Sequence, residues 1–233
     1  MHDNPHHHAN QARAVAALQP GALVFEQLTP ELAALVTPEL IGDAVRLEAV
    51  LHWEARGWPD FAMYYPIFAA APDAAIFGGA APKQDVRRAM TEGAASVFGD
   101  GASVFALDRD LPDEVQAQRE ELQRVAHCDA LPPELLPGMV EAQRLRDASL
   151  AHATIAAHYE SLARTESAPV VVITGNGHAR NDWGVPSLLR MQEIGLSLQS
   201  VGQFETEAPP EVEFDYWIVT EAAEREDPCA AFE

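Results

Sequence analysis

Short apolar runs alternate with helical periodicities along this chain. Ala22 to Phe25, Ala75 to Phe77, Val170 to Thr174, Ser197 to Phe204 and Tyr216 to Thr220 are β-rich runs, too short to be helices. Helical patterns lie between them. Thr37-Pro38-Glu39 opens a run to about Arg56, Pro82 opens one to Glu92, and Pro112 opens one to His127, each using proline where a first helical turn has no N–H to lose. From Pro132 to Arg164 the pattern is helical again, with an interruption expected at Pro137-Gly138. The alternation predicts an α/β fold, a mostly parallel sheet flanked by helices with a helical insertion. Val170 to Thr174 lacks polar alternation, as a parallel strand covered on both faces does, and is expected to be a central strand. The predicted organisation is a single domain, with an α/β core over about 1–111 and 165–222, an insertion over about 112–164 and an acidic tail over 223–233.

A chain of 233 residues that is 48% apolar can bury a substantial core. Its 15 Lys and Arg stand against 36 Asp and Glu, a formal charge of −21 that repels nucleic acid and anionic lipid. The run from Glu205 to Glu213 reads as a solvated acidic segment. Cys128 and Cys229 are the two cysteines, too few for a disulfide framework and not spaced for covalent haem. No apolar stretch approaches the roughly 20 residues of a membrane span, so the chain as written is expected to be cytoplasmic.

Ligands of open parallel sheets sit beyond the carboxyl ends of the strands. Two residues are selected by that rule. Glu26 follows Leu23-Val24-Phe25, and His178 follows Val170 to Thr174 through Gly175-Asn176-Gly177, a turn through which backbone can approach a ligand. The turn lacks both the Gly-Lys-Ser/Thr ending of a phosphate loop and the third glycine of a dinucleotide fingerprint. His2, His6, His7 and His8 begin a helix expected to run through Leu18, capped by Asp3 or Asn4 with Pro5 in its first turn. His6 to His8 read as a solvated helix start. No Gly-x-Ser-x-Gly elbow is present, which sets aside a nucleophilic hydrolase.

The segments His2-Asp3-Asn4-Pro5-His6-His7, Phe25-Glu26-Gln27, Tyr65-Pro66-Ile67, His127-Cys128, Gln143 with Arg146-Asp147, and Gly175-Asn176-Gly177-His178-Ala179-Arg180 leading to Gly184-Val185-Pro186 occur in an order that resembles the ChaN-like haem-binding lipoproteins. That family's first motif reads Gly-Glu-x-His-Asp at the end of a core strand, whereas this chain begins inside it at Met1-His2-Asp3. A late start or a truncated chain is therefore expected. The resemblance implies haem binding at the carboxyl ends of the strands, in iron uptake or trafficking, a periplasmic or membrane-anchored location if the true N-terminus is longer, and a homodimer. Tyr65 is the implied axial ligand, Arg180 a propionate partner, and His178, Glu26, His2, Asp147 and Cys128 the remaining candidates around the cofactor.

A second class of function comes from a distant similarity to the erythromycin esterase-like and Tiki/TraB-like proteins, a metal-dependent hydrolase. In it His2, Glu26 and His178 hold a divalent ion such as zinc, leaving a position open for water.

Overall fold

The computed structural model describes residues 3–164, 168–225, 227 and 229–230. They form two compact units, one made of the described residues up to Ala80 and from Leu150 to Ala223, the other of Ala81–Ser149 with the described residues from Glu224 onward.

The first unit opens with α1 (Pro5–Leu18), which Asn4 caps by accepting from the His6 and His7 amides, while Gln19 ends it in the left-handed region at φ 46°. β1 (Ala22–Phe25) follows. After α2 (Pro30–Ala33), the stretch expected to be one helix from Thr37 to about Arg56 is instead α3 (Pro38–Ile41), α4 (Ala44–Leu51) and a 3₁₀ turn at Glu54–Arg56. Its break falls at Gly42-Asp43, because the Asp43 carboxylate accepts from the Arg46 amide at 3.1 Å and so starts a new helix.

α5 (Phe61–Ala69) buries Phe61, Tyr64, Ile67 and Phe68, the inward stripe of a helix with a 3.6-residue period. Phe68 stacks on Phe25 with ring centroids 4.2 Å apart, and Trp53 meets Tyr64 at 4.8 Å. Each such side chain contributes roughly 1.5–3 kcal/mol on burial. β2 (Ala75–Gly78) then completes one flank of the sheet.

The second unit holds α6 (Lys83–Glu92), α7 (Ala94–Phe98), α8 (Asp113–Ala126) and the first part of α9 (Leu136–Arg164). α9 corrects the expected interruption at Pro137-Gly138. Pro137 stands in the first turn, where its missing N–H leaves no hydrogen bond unmade. Gly138 is required because a Cβ there would strike the Met90 backbone. Arg119 on α8 and Asp147 on α9 form a buried ion pair at 3.2 Å, and Cys128 is bridged to Cys229.

Back in the first unit, β3 (Val170–Ile173), α10 (Asn176–Ala179) and α11 (Val185–Arg190) lead to β4 (Val201–Glu205) and β5 (Tyr216–Thr220). β4 begins four residues later than the apolar run at Ser197 suggested. Among the described residues the strands form two parallel sheets, one ordered β2-β1-β3 and the other β4-β5. The central strand is β1, not the Val170 run. All four residues of β1 are fully buried, whereas β3 buries only Ile173. Among the described residues no helix is long and apolar enough to cross a membrane.

Candidate functional site

The carboxyl ends of β1 and β3 meet in register, Phe25 beside Ile173, and the Glu26 amide extends the ladder by donating to the Ile173 carbonyl at 3.0 Å. That pairing carries the Glu26 carboxylate over the turn after β3. Its Oε2 accepts from the Thr174 hydroxyl at 2.7 Å and the Gly175 amide at 2.8 Å, and its Oε1 lies 3.5 Å from Nε2 of the buried His178. The two residues selected by the strand-end rule are thus brought together as a carboxylate–imidazole pair. Gly184 is needed for the same turn, since a Cβ there would collide with the carbonyl oxygens of His178 and Arg180.

Beside the pair lies a cavity of about 410 Å³, lined in part by His7, His8, Gln27, Tyr64, Asn176 and Glu205. Its walls are tied by side-chain bonds. The Asn176 amide brackets Gln203 of β4, donating to its carbonyl at 2.8 Å and accepting from its N–H at 3.0 Å. Asn4, almost fully buried, donates to Glu205 Oε1 at 2.6 Å and to the Glu221 carbonyl at 3.2 Å, so the cap of α1 also anchors the ends of β4 and β5.

His7 and His8 do not form the solvated helix start that the sequence suggested. His8 is buried with its ring 4.0 Å from that of Tyr64, and its Nδ1 is 2.9 Å from Gln11 Oε1. His7 is half-buried, and burial lowers its pKa against the opposing pull of the Phe204 carbonyl and Glu205. The balance weakens the ring's hold on a second proton. The Tyr64 phenol, hydrogen-bonded to the Gln27 amide, has its pKa raised well above the ordinary tyrosine value by burial first and then by the charges of Glu26 and Asp3. It keeps its proton.

The other sequence candidates lie elsewhere. Tyr65 is half-buried on α5 and donates to the Ile41 carbonyl at 2.9 Å, while its neighbour Tyr64 is the tyrosine that lines the cavity. Arg180 pairs with Asp182 at 2.6 Å and sits over the Trp183 ring at 4.0 Å. Asp147 belongs to the second unit and pairs with Arg119, the two side chains meeting between α8 and α9. Cys128 carries no thiolate, being bridged to Cys229. His2 lies outside the described residues. Among those described, no group of three His, Cys, Asp or Glu side chains is placed to hold a metal ion, so the expected zinc set gains no support.

Sequence reasoning missed Tyr64, Gln27 and the cavity-facing histidines. A signal for Tyr64 was available: it lies three residues after Phe61 and four before Phe68, on one helix face with both.

The fold and this geometry define an α/β protein with a parallel sheet, a carboxylate–imidazole pair closing its strand ends and a polar cavity alongside. More particularly, the chain belongs to the family described as "Haem-binding uptake, Tiki superfamily, ChaN", whose model matches residues 1–189. Its fold is similar to that in "Cofacial heme binding to ChaN of Campylobacter jejuni", with a TM-score of 0.61 and 16% identity over 92% of this chain and 83% of that one. No curated protein matches.

Proposed function

We propose that this chain binds haem and serves iron uptake or trafficking, with the Tyr65 phenol as the axial base. The observation that carries the reading is the family match over residues 1–189. Haem requires an axial base, apolar surface and a tolerable setting for two propionates. The strand-end cavity is a poor fit, since Glu205 and Glu207 line it and no Lys or Arg is among its lining residues. α5 offers a partly exposed tyrosine instead. Of two adjacent tyrosines, Tyr64 is fully buried and holds its proton, whereas Tyr65 is partly exposed, with its hydroxyl on a backbone carbonyl and its ring 6.1 Å from Phe61. Bound haem would supply a ferric iron that accepts the phenolate oxygen. Tyr65 would hold it, and the packing of α5 on β1 would keep the ring oriented.

Glu26 and His178 then act in support, fastening the β3 turn to the end of β1. Zinc hydrolysis finds no favouring observation. The Cys128–Cys229 bridge supports action in an oxidising compartment, where such bridges persist.

The test is a hemin titration of the full chain followed by absorbance. A saturable Soret change is expected, weakened ten-fold or more by Tyr65→Phe and less than about three-fold by His178→Ala, ten-fold being about 1.4 kcal/mol. No Soret change would remove the haem reading, and loss in His178→Ala alone would move the ligand to the strand ends. Light scattering of the loaded protein tests whether two chains share the ligand.

A further inference from the structure

We propose that the cavity between α1, the end of β3 and β4 is a binding site for a small organic ammonium cation, separate from the haem surface. Gln27 carries the argument. It is 1% exposed and lines the cavity, and its amide is engaged with the Tyr64 hydroxyl, yet its Oε1 has no hydrogen-bond partner among the described residues. A buried carbonyl acceptor left without a donor is destabilising, and a ligand N–H removes that cost.

The surroundings select the charge of that donor. Glu205 and Glu207 contribute carboxylates to the lining, and the basic side chains among the lining residues are His7 and His8. His7 is held toward the neutral form by burial. Tyr64 adds an aromatic wall, which favours an ammonium over a neutral group. Anions are disfavoured both by these carboxylates and by a chain charge of −21. A volume of about 410 Å³ suits a short aliphatic amine. The ligand would place one ammonium against Gln27 Oε1 and its remaining charge toward Glu205 and Glu207.

The experiment is calorimetric titration of the full chain with 1,4-diammoniobutane and, as a neutral match, 1,4-butanediol, at low salt and at about 0.15 M. The expected result is one saturable site for the diamine that survives the higher salt, with the diol at least ten-fold weaker. Gln27→Met should weaken the diamine about ten-fold. Glu207→Gln, an exposed change that leaves the core alone, should weaken it about three-fold and serves if Gln27→Met lowers the melting temperature. Neither should alter the hemin titration, so failure here and failure of the haem reading are separate results. Equal binding of diol and diamine, absence of saturation, or binding that vanishes with salt and ignores both variants would overturn the proposal, the last marking diffuse counterions on an acidic surface.

Discussion

Glu26 is the residue on which the strand ends depend, because one carboxylate takes a hydroxyl, a backbone amide and an imidazole from the turn after β3. Its position was legible from the strand-end rule, as was that of His178. His7 was not, since nothing in a run of three histidines tells which ring faces water. Folding desolvates the His7 ring and lowers its pKa below the ordinary 6.5. The unfolded chain therefore takes up this proton first, and stability falls as pH descends below about 6.5. Thermal unfolding from pH 7.5 to 5.5 should show a midpoint that drops with pH, and His7→Gln should flatten that drop; an unchanged slope would mean that His7 stays solvated.

Among the elements, α8 and α9 are joined by the Arg119–Asp147 pair, with side chains only 6% and 2% exposed. Removing one member of a buried pair costs roughly 3–5 kcal/mol. Asp147→Ala should lower the chemical-denaturation stability by that order, with Arg119→Met/Asp147→Leu recovering much of it. A loss under about 1 kcal/mol would show the pair to be hydrated. β1 and β5 were read with their observed limits because apolar β-rich runs bounded by polar residues report local geometry. The helix expected from Thr37 to Arg56 was misread because capping is a competition: Asp43 has the side chain to restart a helix, and periodicity alone does not reveal that it does. Pro137 was misread in the opposite sense. A proline breaks a helix only where an N–H was needed, and the first turn needs none.

For the whole molecule, the Cys128–Cys229 bridge closes a sequence separation of 101 residues. Chain-entropy arguments put such a closure at roughly 4–5 kcal/mol, less any native-state cost. Cys128→Ser, or mild reduction of the wild-type chain, should therefore lower the unfolding midpoint by several degrees without altering the hemin spectrum. Equal midpoints with and without reductant would exclude a bridge in solution. The charge of −21 also acts at this scale. Hemin carries two propionates, so its association should be slowed at low salt and should speed up as ionic strength rises toward about 0.15 M, where the Debye length is about 8 Å. Stopped-flow mixing measures that slope, and a rate that falls with salt would indicate an attracting basic patch.

The sequence by itself determined the α/β class, the limits of several elements, the acidic field and the strand-end pair Glu26 and His178, because these follow from periodicity, composition and short-range turn chemistry. Only the tertiary structure decided that β1 and not the Val170 run is central, that Tyr64 faces the cavity while Tyr65 remains partly exposed, that Asp147 answers Arg119, and that Cys128 meets Cys229. Those outcomes depend on which side chains the packed chain brings within a few ångströms of one another across long separations, and local pattern carries no information about such distances.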